Sequence, residues 1–361
     1  MKNILISGYY GSRNGGDEAI LEAMLESLRE LDGDLHFTVI SLNPEYTKTR
    51  NNVDAVKFTD FFSIVREIRK ADLLIFGGGS LLQNVTSQRS LCYYLGIIFL
   101  AELFGCKIML YAQGIGPVRG KSAELLMKFF VNRVDLITVR DKGSLDELKR
   151  LDITRPKIFR TADPVLAINP VSPEIGKSLL PTHYSLKHKI GVSVRSWINW
   201  NTCRNEFAVA LDKLVEKLNA EIIFIPMQYP EDVKAAQSIV DIMKNPAIVI
   251  DKELSTTQTL SLAGCVDILI GVRLHALIFA GVMNVPTVGI SYDPKIDRFL
   301  ESINEKPVAS LHDITAQKIF DATVEKLKAG KNLNPETQKL KSELRELALK
   351  NARLAVNLLN N

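Results

Sequence analysis

Cysteine is scarce in this chain, and its spacing carries no chemistry. The four cysteines among 361 residues stand at 92, 106, 203 and 265, with no CxxC pair and no metal-ligand spacing. Three of them lie in or beside apolar segments, where cysteine behaves as a small buried hydrophobe. That pattern argues against a disulfide framework and for a reduced, cytoplasmic chain. No cluster of carboxylates has ligand spacing either, so neither a metal nor another cofactor is called for. Long hydrophobic runs are also missing. The longest, Leu91 to Leu103, is interrupted by Glu102 and falls short of the roughly 18 residues a spanning helix needs, although such a helix can lie against a membrane surface. The amino terminus enters a strand directly at Ile4–Ser7, without the apolar region and cleavage site of a signal peptide. Dense basic runs are absent as well: the formal charge is only +4, with cations interspersed among acids, which excludes nucleic acid as the natural partner.

What is present is a long alternation of strand and helix signals. Residues 1–168 read as a first domain, with strands near Ile4–Ser7, Phe37–Ser41, Asp72–Phe76, Lys107–Ala112 and Leu136–Val139 separated by amphipathic segments. Repeated βα units predict a parallel sheet covered on both faces. Prolines and turn residues between 169 and 186 mark a linker. A second series over 187–330 predicts another Rossmann-like domain, so two parallel-sheet α/β domains should face a cleft, the usual place for an active site. From Asn334, an N-cap followed by Pro335, the leucines at 340, 344, 347, 354 and 358 predict an amphipathic helix that braces the domains over 331–361.

Residues with chemical potential fall where strands give way to helices. Gly271-Val272-Arg273-Leu274-His275 follows a buried strand and opens a helix, which is where open α/β sheets bind ligands and where a helix N-terminus favours anions. Arg195 ends the first strand of the second domain and Lys295 follows a later one, so Arg195, Arg273 and Lys295 should form a cationic pocket around His275. In the first domain, the loop Gly8–Glu18 has the glycine content of a dinucleotide site but not its GxGxxG spacing, which excludes NAD. Its Gly15 and Gly16 let backbone approach a ligand, Asn14 offers an amide to a hydroxyl, and Asp17 or Glu18 could accept a proton. Asp17 and Glu18 also suit the start of a helix without any further role. Gly77-Gly78-Gly79, Gln113 and Arg140 close further strands. Ligand contact competes there with tight packing, and an Arg-Asp pair at 140–141 with anion binding.

Taken together, these pieces resemble the polysaccharide pyruvyl transferase family, in particular its CsaB-type members of bacterial secondary cell-wall polymer synthesis. The matching residues are the Gly8–Glu18 loop, Gly77–Ser80, Gln113–Pro117, Arg140-Asp141, Arg195, Arg273-Leu274-His275 and Tyr292–Lys295, in order along nearly the whole chain. The resemblance implies a GT-B-like fold and transfer of pyruvate from phosphoenolpyruvate onto a sugar as a 4,6-ketal. The implied acceptor is N-acetylmannosamine in an undecaprenyl-pyrophosphate-linked disaccharide with N-acetylglucosamine, which would bring the protein to the cytoplasmic face of the membrane in a pathway that serves S-layer anchoring. The resemblance puts His275 on the phosphoenolpyruvate side, and the transfer chemistry then suggests His275 as the general acid and Asp17 or Glu18 as the base. Arg195, Arg273, Leu274 and Lys295 then bind phosphoenolpyruvate, and Asn14, Gly15, Gly78, Gly79, Gln113 and Arg140 the acceptor. A GT-B glycosyltransferase using a nucleotide sugar and a non-catalytic sugar-phosphate binding module are the alternatives.

Overall fold

Short apolar runs bounded by glycines or capping residues become strands, and the polar-apolar segments between them become helices. A computed structural model describes residues 1–85, 87–181, 188–330 and 335–361. In chain order the first elements are β1 (Lys2–Tyr10), α1 (Gly15–Leu31), β2 (Leu35–Ser41), α2 (Pro44–Asn51), β3 (Asp54–Lys57), α3 (Phe61–Lys70), β4 (Leu73–Phe76), α4 (Gln88–Leu103), β5 (Lys107–Gln113), α5 (Lys121–Val131), β6 (Leu136–Val139), α6 (Lys142–Arg150) and β7 (Lys157–Arg160). Then come α7 (Glu174–Lys177), β8 (His188–Ser193), α8 (Trp200–Leu218), β9 (Ala220–Phe224), α9 (Glu231–Val240), β10 (Ile248–Val249), α10 (Thr256–Gly264), β11 (Ile268–Gly271), α11 (Leu274–Val282), β12 (Thr287–Ser291), α12 (Pro294–Ser302), β13 (Ala309–Ser310), α13 (Ala316–Ala329) and α14 (Pro335–Asn360). The expected N-cap Asn334 and the linker residues 182–186 lie outside the described residues.

The strands form two sheets, one of seven in the order β3-β2-β1-β4-β5-β6-β7 and one of six in the order β10-β9-β8-β11-β12-β13. Every pairing within them is parallel, so two Rossmann-like parallel-sheet domains are present, as the alternation predicts. Central strands such as β4 and β11 are buried at every residue, because helices cover a parallel sheet on both faces and leave no side for water. Side chains set the helix starts: Asp60 accepts from the Ser63 amide, Asp141 from Ser144, and Ser255 forms a reciprocal capping box with Gln258.

The chain divides into two compact units. The first comprises Met1–Ser12, Asp17–Ala167 and Ser342–Asn361, and the second Arg13–Gly16 and Ile168–Lys341. In each sheet the strand order reverses beside the first strand, between β1 and β4 in the first unit and between β8 and β11 in the second. The crevice outside the carboxyl ends of such a strand pair is where this architecture binds ligands.

Helix α14 differs from its expected packing. Within the first unit its buried positions are Leu344, Ala348, Asn351, Ala352, Ala355 and Leu359, whereas Leu347, Leu354 and Leu358 are only half-buried. Alanines let the helix backbone approach the sheet closely, and the larger leucines flank that contact. The buried Asn351 amide donates to the carbonyls of Ala162 and Ala348 at 3.1 and 2.9 Å, and its oxygen accepts from the Thr161 hydroxyl at 2.8 Å, so its polar atoms are satisfied inside the core.

Candidate active site

In the second unit, three neighbouring strands deliver cations to one edge of the sheet. β8, β11 and β12 are adjacent, and Arg195, the Arg273–His275 turn and Lys295 follow their respective carboxyl ends. The Arg195 guanidinium lies between two rings, 4.9 Å from the centroid of Trp197 and 5.0 Å from that of Tyr292. Its Nη1 donates to the Tyr292 hydroxyl at 2.8 Å, and its buried Nε has no hydrogen-bond partner among the described residues. Lys295 Nζ sits 5.7 Å from the Tyr292 ring and 3.4 Å from the Asp293 carboxylate. Tyr292 thus gathers two of the three expected cations.

Arg273 is buried and held from behind. Its Nε donates to Asp232 at 3.0 Å and its Nη2 to Gln228 at 3.2 Å, with a second short contact from Nη2 to the other Asp232 oxygen. Asp232, itself 2% exposed, also accepts from the Met227 and Gln228 amides at 3.0 Å each. The carboxylate therefore orients the guanidinium by a two-point clamp and neutralises much of its charge. Arg273 is the N-cap residue of α11 and makes no side-chain cap, so the helix start presents backbone amides and its positive dipole end. Leu274 buries its side chain in the core, so only its backbone faces that end.

His275 occupies the second position of α11, half-buried, and its imidazole lies directly against Gly16. A Cβ at residue 16 would come within 2.0 Å of His275 Nδ1, so any side chain there would displace the ring. The short segment Arg13–Gly16 belongs to this unit through the 2.6 Å bond from the Gly15 amide to the Met227 carbonyl, the Asn14–Gln228 bridge and the Arg13–Glu253 ion pair at 3.5 Å. Asn14 Oδ1 accepts from the Gly16 amide at 3.0 Å. Asn14 and Gly15 thus sit with the His275 cluster, whereas the other expected acceptor residues belong to the first unit.

In the first unit, the carboxyl ends of β1, β4 and β5 converge on the three glycines. A Cβ on Gly77 would fall 2.1 Å from the Tyr10 hydroxyl, and one on Gly78 would fall 2.8 Å from Ile20, so close packing accounts for both. Gly79 has a φ of +86° and lies beside the Asp17 carboxylate, a backbone shape that suits glycine. Glu18 is 1% exposed and accepts from the Gly11 amide at 2.9 Å, whereas Asp17 is half-buried. The Tyr10 phenol is held well above its ordinary pKa, by burial first and then by Asp17 and Glu18, and stays protonated. Gln113 spends its amide nitrogen on the carbonyls of Phe76 and Gly77 at 3.1 and 3.0 Å. Its Oε1, the Tyr10 hydroxyl and the Ser7 hydroxyl are buried and have no partner among the described residues. Arg140 pairs with Asp163 at 2.7 Å and reaches Ser80 at 3.2 Å. Its partner is therefore not the adjacent Asp141, which caps α6.

The polysaccharide pyruvyl transferase family model matches residues 14–294, a span that includes Arg195, Arg273 and His275, the loop from Asn14 and the Gly77–Gly79 glycines, and ends one residue before Lys295. The chain belongs to the polysaccharide pyruvyl transferase family. A transferase role in pyruvylating polysaccharide follows from that membership. The amylovoran biosynthesis protein AmsJ of Erwinia amylovora is 20% identical over 377 residues, covering 89% of this chain and 90% of that protein. Among solved structures, the UDP-GlcNAc 2-epimerase of Neisseria meningitidis covers 100% of both chains with a TM-score of 0.66 at 14% identity, and Anabaena Alr3699/HepE in complex with UDP-glucose covers 99% of each with a TM-score of 0.64 at 12%. These likenesses establish the GT-B fold class for this pyruvyl transferase. Reading the sequence misses Asp232 and Gln228, which orient Arg273. Asp232 lies in the first turn of a helix, where an acid is expected for the dipole alone, and only the fold brings it to residue 273.

Proposed function

We propose that this pyruvyl transferase uses phosphoenolpyruvate and forms a 4,6-ketal on N-acetylmannosamine, in the manner of CsaB-type enzymes, with the acceptor carried on an undecaprenyl-pyrophosphate-linked disaccharide. The observation that carries the reading is the convergence of Arg195, Arg273, His275 and Lys295 on the carboxyl ends of three adjacent strands. Phosphoenolpyruvate is a phosphate and a carboxylate on three carbons, and fixed cations hold it and offset charge as phosphate departs. Arg195 and the bare start of α11 bind one anionic group; Arg273 and Lys295 bind the other. His275 protonates C3, which becomes the methyl group and leaves C2 electrophilic. One sugar hydroxyl adds to C2 and gives up its proton to a base. The second hydroxyl then displaces phosphate from C2, closing the ketal, and its proton leaves with the phosphate or the same base. Asp17 is the more accessible of the two acids and takes that role, because Glu18 is closed off beneath the Gly11 amide.

The test is incubation with phosphoenolpyruvate and an N-acetylmannosamine-containing disaccharide, lipid-linked or as a soluble mimic. The reading predicts a product heavier by the pyruvyl ketal, with a new methyl singlet in its proton spectrum. A folded enzyme that leaves the acceptor unmodified while binding a uridine nucleotide tightly would instead favour a nucleotide-sugar glycosyltransferase.

A further inference from the structure

One face of the first unit exposes large apolar side chains that nothing among the described residues covers. Leu125, Leu126 and Phe129 project from α5, with exposures of 67, 38 and 52%, and Phe99, Leu103 and Phe104 from the end of α4, with 45, 63 and 41%. Helical spacing makes each set one stripe: 125 and 129 are four apart, as are 99 and 103, and such positions share a face. The two stripes meet, since the Phe99 and Phe130 ring centroids are 5.9 Å apart and Arg133 pairs with Glu102 at 2.9 Å. A soluble surface seldom leaves so many neighbouring aromatics and leucines in water without a use for them.

Cations surround this patch. Lys121 stands one turn before Leu125, the Arg133 guanidinium stacks 3.6 Å from the Phe129 ring centroid, and Arg69 covers Phe104 at 5.6 Å. Between residues 61 and 133 there are nine lysines and arginines against four acids, a surplus of +5 in a chain whose total is +4. The segment that carries the apolar patch therefore also carries all of the protein's net positive charge. On the patch itself, Glu102 is neutralised by Arg133, and Glu124 by Arg150 at 2.8 Å. No helix among the described residues is long and apolar enough to cross a membrane.

We propose that the exposed face of α4 and α5 docks on an anionic lipid bilayer, with Phe99, Leu103, Leu125 and Phe129 entering the acyl boundary and Arg69, Lys121 and Arg133 meeting the headgroups. Apolar insertion and headgroup charge are the two signals that together give stable peripheral binding. Long basic side chains can lay their stems on the apolar surface while their heads reach the phosphates. The inference rests on the surface alone and holds whichever acceptor the enzyme uses.

The full chain should be spun with vesicles of pure phosphatidylcholine and with vesicles containing phosphatidylglycerol, at low and at raised salt. It should pellet with the anionic vesicles, pellet little with the neutral ones, and release as salt rises. Phe99→Ser with Phe129→Ser, and separately Arg69→Glu with Lys121→Glu, should each lower the bound fraction by about tenfold or more while the far-ultraviolet circular dichroism stays native. No pelleting of the wild type with either vesicle would overturn the proposal. So would unchanged binding by both variants, or a wild-type dimer that the serine variant converts to monomer without any vesicle affinity, since the face would then be an interface between copies.

Discussion

Asp232 is the residue on which the donor side turns. Because it clamps Arg273 at two points from a position that is 2% exposed, Asp232→Asn should free the guanidinium to swing. A KM for phosphoenolpyruvate raised by about tenfold, with kcat less affected, is the expected kinetic result, since binding and not proton transfer is disturbed. Urea unfolding of the same variant should show a loss of about 3 kcal/mol, because a buried charge is left without its partner. His275→Ala belongs to the opposite class, with kcat lower by a hundredfold or more, about the contribution of a positioned acid, and KM nearly unchanged. Gly16→Ala should imitate it, since the added methyl cannot coexist with the imidazole, and an unaltered kcat in that variant would place the ring elsewhere. Among the cysteines, Cys92 is exposed and should be alkylated by iodoacetamide at pH 8, while Cys106 stays protonated and inert because burial pushes its thiol up to about 12. Much of the site is legible in the sequence because a basic residue closing a buried apolar strand is conspicuous, as Arg195 and Arg273 are. Asp232 is not, because its pairing with Arg273 crosses 41 positions. Nor is the structural use of Gln113, whose amide brackets the glycine loop.

At the scale of elements, fully buried central strands and amphipathic helices announce themselves, while half-exposed edge strands do not. β3 and β7 are four residues each and half-exposed, so they lack the continuous apolar run that marks β4 or β11. Helix α14 shows the same limit in another form. Its leucines suggest the buried stripe, and Leu354 and Leu358 do pack against the core, yet the deepest apolar positions are Ala348, Ala352 and Ala355, which contribute little to a hydrophobic pattern because they are small. Ala352→Leu should therefore cost about 1 to 3 kcal/mol by overpacking, measured as a shift in urea midpoint. Leu347→Ala, at a half-buried position, should cost clearly less. Ranking by hydrophobicity alone predicts the reverse order.

For the whole molecule, two parallel sheets follow from the repeated alternation of strand and helix, and their strand orders put a switch point in each unit. What the sequence conceals is the assignment of Arg13–Gly16 to the second unit. Local pattern joins that loop to the strand before it and the helix after it, whereas its hydrogen bonds run to Met227 and Gln228. Family membership fixes the general transfer chemistry, and the proposal that phosphoenolpyruvate is the donor is tested most directly by phosphate release. With phosphoenolpyruvate and the N-acetylmannosamine disaccharide together, the enzyme should liberate one phosphate for each ketal formed, and with either omitted it should liberate none above background. Release that ignores the acceptor, or no release from a folded enzyme supplied with both, would contradict the account.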